Sequence, residues 1–148
     1  MEAEKSIKIL LADDDKDDRF FFKLALKGLE FPTTLITVND GEHLMDYLNE
    51  HTTDLPDILF LDLNMPRKNG FESLNEMKSN PLFKTIPIVI YSTSYDEVVA
   101  GVLYDKGANF YIRKTDVENL RGILQRFFSK YLASSFAQPE KNEFAFSV

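Results

Sequence analysis

The chain has 148 residues, of which 44 % are hydrophobic and 28 % are charged, and this composition is typical of one folded globular domain. It contains no cysteine, which excludes a disulfide framework, a cysteine-ligated zinc site and a thiol nucleophile. No apolar run approaches the roughly 18 residues that a membrane-spanning helix needs, and residues 1–8 lack the apolar core of a signal peptide. We therefore expect a cytoplasmic protein that does not enter a membrane.

Acidic residues outnumber basic residues by 24 to 17, which disfavours a nucleic-acid-binding module, because such modules present a basic face. The aspartates crowd together in residues 13–18. Clustered carboxylates raise one another's pKa unless a cation joins them, so the cluster suits a cation site. It equally suits the solvent-exposed start of a helix, where acidic residues are favoured, and we assign Asp17 and Asp18 to such a start.

Strand and helix patterns alternate along the whole chain. In chain order they predict a strand at 7–12, a helix at 17–30, a strand at 34–38, a helix at 42–49, a strand at 58–61, a helix ending near 80, a strand at 86–91, a helix at 96–106, a strand at 109–113 and a helix at 116–132. This alternation predicts a doubly wound α/β fold, in which five helices cover both faces of a five-stranded parallel sheet.

Four of the predicted strands end in a side chain suited to phosphate or metal chemistry. From the first strand to the fifth, these residues are Asp13, Asp14, Asp62, Ser92 and Lys114. The carboxyl ends of parallel strands lie at one edge of the sheet, where ligands bind. Carboxylates there would hold Mg²⁺, and one of them would act as a nucleophile to form an acyl phosphate. The lysine and the serine would bind phosphoryl oxygens, so the set predicts phosphoryl transfer to a carboxylate.

Five motifs occur in order along the chain, and each is weak alone. They are LLADDD at 10–15, LPDI at 55–58, LDLNMP at 61–66 with Gly70, IPIVIYST at 86–93 and GANFYIRK at 107–114. Together they resemble the receiver domains of two-component response regulators, over residues 7–131. Other segments are most similar to stand-alone regulators of this family, among them phytochrome-associated ones. The resemblance implies a flavodoxin-like sheet with strand order 2-1-3-4-5.

The resemblance also implies that Asp62 is the phosphoacceptor. It would take the phosphoryl group from a phosphohistidine on a sensor histidine kinase or a phosphotransfer protein. Asp14 would bind Mg²⁺ directly and Asp13 would assist through water, while Asp62 itself and the backbone carbonyl of Asn64 would supply further ligands. The protein would then be a signalling switch and not an enzyme, since it would catalyse only its own phosphorylation and dephosphorylation.

Three further roles follow from the same resemblance. Lys114 would bind the phosphoryl group, Ser92 would be the switch hydroxyl, and Tyr111 would be the aromatic residue that turns inward on activation. Thr115 departs from the family pattern, because most receivers have a proline there, joined through a cis peptide. A non-proline cis bond costs about 2.5–4 kcal/mol, so we expect a trans bond that aims Lys114 differently.

The last helix carries more apolar residues than one sheet-facing stripe requires. They are Leu120, Ile123, Leu124, Phe127, Phe128, Tyr131 and Leu132. We predict that this helix forms a homodimer or target surface with the fourth helix and the fifth strand, the alternative being a terminal segment that folds over it. Residues 1–133 are assigned to the receiver domain and 134–148 to a mobile C-terminal tail, although Phe144, Phe146 and Val148 alternate as in a docking strand.

Two other functions remain open. A phosphohydrolase with an aspartyl-phosphate intermediate would carry a second acid two residues after the nucleophile, where this chain has Asn64. A phosphorylation-independent adaptor is suggested only by Thr115, and the presence of Asp14, Asp62 and Lys114 argues against it. The sequence ends after the fifth helix without an output domain, so we expect the output to pass through protein contacts.

Overall fold

The computed structural model describes residues 5–146. Its strands are β1 (Ile7–Ala12), β2 (Thr33–Val38), β3 (Ile58–Leu61), β4 (Ile88–Ser92) and β5 (Phe110–Arg113). They form one parallel sheet in the order β2-β1-β3-β4-β5. The predicted flavodoxin-like α/β fold is therefore confirmed, with each short apolar run of the sequence forming one strand.

Five α-helices cover both faces of this sheet. They are α1 (Lys16–Leu26), α2 (Gly41–Glu50), α3 (Gly70–Lys78), α4 (Glu97–Asp105) and α5 (Val117–Tyr131). Successive strand residues point to opposite faces, so the core has two apolar layers. One layer lies under α1 and α5, where Phe22 and Phe127 both pack against Phe60 of β3, and the other lies under α2, α3 and α4. No helix within residues 5–146 is long and apolar enough to cross a membrane.

Each α-helix begins after an aspartate or asparagine side chain that accepts hydrogen bonds from backbone N–H groups of the first turn. These N-cap residues are Asp15, Asp40, Asn69, Asp96 and Asp116. Such caps satisfy N–H groups that have no partner inside the helix. Because each of these caps lies between a strand end and the next helix, the caps also shape the loops at the polar edge of the sheet.

The segment that follows α5, for which a mobile tail is predicted, packs against the domain. It contains short 3₁₀ turns at Leu132–Ser134 and Lys141–Glu143. Phe136 and Phe144 are each only 2 % exposed, and the Phe136 ring stacks on that of Phe127 in α5 with a centroid distance of 5.6 Å. Helical periodicity ends near residue 134 because the chain becomes an irregular packed segment there, held by buried aromatic rings.

The tail also pairs with β5, the outermost strand on its side of the sheet. The Tyr111 N–H donates to the Phe144 carbonyl, and the Phe146 N–H donates to the Tyr111 carbonyl, both at 2.9 Å. Phe144 and Phe146 thus alternate as in a docking strand, whereas Val148 lies outside the described residues. The tail covers part of the apolar surface of α5 through which the homodimer is predicted to form. This arrangement corresponds to the alternative, in which a terminal segment folds over that helix.

Candidate functional site

Side chains from four strand ends meet at one edge of the sheet. The register of β1 with β3 places Asp13 beside Asp62, each being the first residue beyond its strand. The register of β4 with β5 places Lys114 just beyond Ser92, and the Lys114 N–H donates to the Ser92 carbonyl at 2.8 Å. The parallel sheet therefore brings carboxylates, a hydroxyl and an ammonium group to the same place.

Three carboxylates form an acidic triad at this edge. Oxygen atoms of Asp13, Asp14 and Asp62 all lie within 4.8 Å of one another, with Asp13 and Asp62 buried and Asp14 exposed. Backbone N–H groups orient the two buried members, since that of Asp15 donates to Asp13 Oδ1 at 3.0 Å and that of Asn64 donates to Asp62 Oδ1 at 3.3 Å. Clustered oxygen ligands with one exposed side suit a hard divalent cation that keeps part of its water.

Two buried side-chain oxygens within residues 5–146, Asp13 Oδ2 and Ser92 Oγ, have no hydrogen-bond partner. Asp13 Oδ2 lies 2.8 Å from Lys114 Nζ, but this contact is not aligned as a hydrogen bond. Buried polar atoms are nearly always satisfied in folded proteins, so the Ser92 hydroxyl and, beyond its ion pair with Lys114, Asp13 Oδ2 can each take a further partner. A carboxylate oxygen suits a cation, and a hydroxyl suits an acceptor such as a phosphoryl oxygen.

Lys114 reaches across the site from the end of β5. Its Nζ lies 2.8 Å from Asp13, 2.9 Å from Asp18 and 3.2 Å from Asp62. Burial alone would lower the pKa of Lys114, but its close contacts with Asp13 and Asp18 and the charges of the neighbouring carboxylates raise that pKa above its usual range. The bond to Thr115 is trans, and the ammonium nevertheless faces Asp62.

The Asp13 carboxyl has a raised pKa because it is buried. Burial raises this pKa to about 6, while the contact with Lys114 and the hydrogen bond from the Asp15 backbone oppose the shift. A cation among the carboxylates would favour the ionised form of Asp13. Cation binding and proton loss at Asp13 are therefore linked.

Tyr111 lies beneath the loop that follows β4 and is 2 % exposed. Its hydroxyl donates to the backbone carbonyl of Ser94, and its ring packs edge-on against Tyr95 with a centroid distance of 5.1 Å. Its backbone is the part of β5 that pairs with the tail. Tyr111 thus connects the loop beyond Ser92 with the C-terminal segment.

An ion pair holds the loop that follows Asp62. The sequence predicts a turn there but does not predict this pair. Arg67, at a positive φ of 65°, contacts the buried Asp40 carboxylate at 2.7 Å. Gly70 ends the loop so close to the strand that a Cβ atom there would lie 2.3 Å from the Asp62 carbonyl oxygen. Asn64, whose carbonyl is one of the predicted metal ligands, is exposed in this loop. The geometry of the loop that follows Asp62 is therefore set by packing on both sides.

The family model of the response regulator receiver domain matches residues 9–125. Response regulator Rcp1 of Synechocystis sp. is 34 % identical over 121 residues, which cover 79 % of this chain and 81 % of Rcp1. The phosphorylated cyanobacterial phytochrome response regulator RcpA is 36 % identical, with a TM-score of 0.77 over 88 % of this chain and 96 % of that chain. The Mn²⁺-bound form of Rcp1 gives a TM-score of 0.73 at 34 % identity over 84 % and 94 % of the two chains. The chain belongs to the response regulator receiver family, whose members are phosphoacceptor proteins of two-component signalling.

Proposed function

We propose that Asp62 accepts a phosphoryl group from a phosphohistidine of a sensor histidine kinase or a phosphotransfer protein, in a reaction that depends on Mg²⁺. The placement of Asp62 carries this proposal: it lies 3.2 Å from Lys114 Nζ and shares the acidic triad with Asp13 and Asp14. Two relatives support it, since one was solved in a phosphorylated form and the other with Mn²⁺ bound.

In this reaction a carboxylate oxygen of Asp62 attacks the phosphorus atom, the P–N bond to the donor histidine breaks, and the imidazole leaves with the electron pair. Hydrolysis of the resulting acyl phosphate by water returns the carboxylate and inorganic phosphate. Asp13, Asp14, Asp62 and the Asn64 carbonyl would hold Mg²⁺, which supplies positive charge that offsets the incoming phosphoryl group. The Lys114 ammonium would pair with a phosphoryl oxygen.

The same geometry supports a switch. The unpartnered Ser92 hydroxyl would donate to a phosphoryl oxygen and draw the loop beyond β4 toward Asp62. This movement would break the hydrogen bond between the Tyr111 hydroxyl and the Ser94 carbonyl. Because Tyr111 also pairs with the tail, the change would reach the surface formed by α4, β5 and the C-terminal segment. We assign the output contacts to that surface.

The proposed donors are a sensor histidine kinase or a phosphotransfer protein, and the phytochrome response regulators among the relatives favour a phytochrome-class kinase as the first to test. Since the donor phosphohistidine has to reach Asp62, we place the protein in the cytoplasm. The homodimer through the last helix and fifth strand stays a prediction. The tail occupies part of that surface, whereas Val98 and Val102 of α4 are exposed.

Incubation with Mg²⁺ and acetyl phosphate, followed by intact mass measurement, tests the proposal. We expect one added phosphoryl group on the wild-type protein and none on Asp62→Asn. The matched control Asp46→Asn removes an exposed carboxylate on α2 and is expected to behave as the wild type does. An unmodified wild-type protein would favour the adaptor function, and turnover of many phosphate esters would favour the phosphohydrolase. Modification that persists in Asp62→Asn would refute the assigned phosphoacceptor.

A further inference from the structure

Asp18 is a partner of Lys114 that the reaction proposed above does not use. It lies in the first turn of α1, and its Oδ2 accepts a hydrogen bond from Lys114 Nζ at 2.9 Å. The hydrogen bond from the same ammonium to Asp62 is longer, at 3.2 Å. The Asp13 oxygen near Nζ makes an ion-pair contact without hydrogen-bond alignment. The shorter of these two hydrogen bonds therefore goes to a helix and not to the phosphoacceptor.

The backbone around Asp18 is firmly held at the end of β1. The Asp15 carboxylate caps α1 by accepting hydrogen bonds from the Asp17 and Asp18 N–H groups, at 2.8 and 3.0 Å. The Arg19 guanidinium donates to the backbone carbonyl of Asp13 at 2.8 Å. The first turn of α1 is thus tied to the strand end that carries the acidic triad, and the partly buried Asp18 carboxylate has a defined position.

Asp18 differs from Asp13 and Asp62 in its relation to a bound cation. Asp13 and Asp62 belong to the acidic triad, whereas Asp18 stands outside it. A divalent cation shared by the triad would offset the charge that attracts the Lys114 ammonium and would itself repel that ammonium. The attraction between Asp18 and Lys114 does not depend on the carboxylates that bind the cation.

We infer that Asp18 is a positioning residue, which keeps the Lys114 ammonium beside Asp62 when a cation occupies the triad. This inference rests on the proposed function, because it assigns Asp18 a part in preparing the site for the phosphoryl group. The lysine side chain has a flexible four-carbon stem and gains rotamer entropy when its ammonium turns toward water. Asp18 opposes that outward turn from the α1 side of the site.

Amine labelling of Lys114 tests this role without any phosphoryl group. The protein is treated with an acylating reagent, with and without saturating Mg²⁺, and the extent of labelling at Lys114 is read by peptide mass spectrometry. We expect Lys114 in the wild type to stay protected under both conditions. In Mg²⁺, Asp18→Asn should be labelled about threefold faster than Asp17→Asn, the range expected for loss of a partly exposed ion pair. Asp17 is exposed in the same turn, so its substitution removes an equal charge.

Equal labelling of the Asp18→Asn and Asp17→Asn variants in Mg²⁺ would overturn the inference. Asp18→Glu keeps the negative charge and is expected to restore most of the protection, which separates ion pairing from a general loosening of α1. The initial rate of phosphorylation by acetyl phosphate is expected to fall in Asp18→Asn relative to Asp17→Asn, and equal rates would also contradict the role. A wild-type protein that accepts no phosphoryl group would refute the proposed function, while the labelling experiment would still report on the contact between Asp18 and Lys114.

Discussion

Lowering the pH from 7 to 5 should weaken divalent cation binding through the Asp13 carboxyl. Burial raises the pKa of Asp13 to about 6, so this carboxyl is about nine-tenths ionised at pH 7 and about one-tenth ionised at pH 5. The neutral form attracts the cation far less than the ionised form does, so the apparent association constant should fall about tenfold, which is about 1.4 kcal/mol. A carboxyl with an ordinary pKa of about 3.9 would change the affinity by less than about 10 % over the same range.

Titration with Mn²⁺ measures this effect, because the EPR signal of the free ion reports binding directly and the relative Rcp1 was solved with this metal. We expect the tenfold difference in the wild type, as derived from the pKa of about 6. Asp13→Asn should bind more weakly at both pH values and show little pH dependence, whereas Asp17→Asn should follow the wild type. Equal wild-type affinities at pH 7 and pH 5 would refute the reasoning, because Asp13 would then not exchange a proton for the cation.

Two further predictions concern the tail and the loop that follows Asp62, and urea unfolding measures both. Phe144→Ala should lower the free energy of unfolding by about 3 kcal/mol, because the ring is buried against Tyr104. Phe20→Ala, at a 56 % exposed position, should change it by less than about 0.5 kcal/mol, and equal effects would contradict a docked tail. Arg67→Ala should cost about 1–3 kcal/mol, because it removes the guanidinium that pairs with Oδ2 of the buried Asp40 carboxylate. Arg67→Gly should cost about 1 kcal/mol less, since glycine adopts the φ of 65° without strain, and a glycine variant less stable than the alanine variant would contradict this.

The fold could be predicted because the strands of a parallel sheet are buried on both faces and read as short apolar runs. The ends of elements were harder to predict, for local reasons. The first helix is predicted to reach residue 30 but ends at Leu26, since Gly28 adopts a φ of 90° and turns the chain away. The fourth strand is predicted from residue 86 but begins at Ile88, because Pro87 has no N–H group to pair in the sheet.

The strand-end residues of the site could be predicted because parallel strands deliver their ends to one edge. Asp18 and the pair of Arg67 with Asp40 could not, since their contacts depend on how helices and loops pack over that edge. Asp18 is 96 positions away from Lys114 along the chain, and Arg67 is 27 positions away from Asp40. Sequence periodicity assigns Asp18 to an exposed helix start. It gives no information about a lysine that approaches this helix from the end of β5.

The surplus apolar residues of α5 illustrate a different limit. The hydrophobic effect is non-directional, so an apolar helix face predicts that something covers it without indicating whether the cover belongs to the same chain. Besides the apolar face of α5, which needs a cover, the edge strand β5 needs backbone partners along its open edge. The tail meets both requirements at once, because Phe136 packs on α5 while Phe144 and Phe146 pair with Tyr111. A second copy of the chain that bound this part of the face would therefore compete with the tail for the same strand edge.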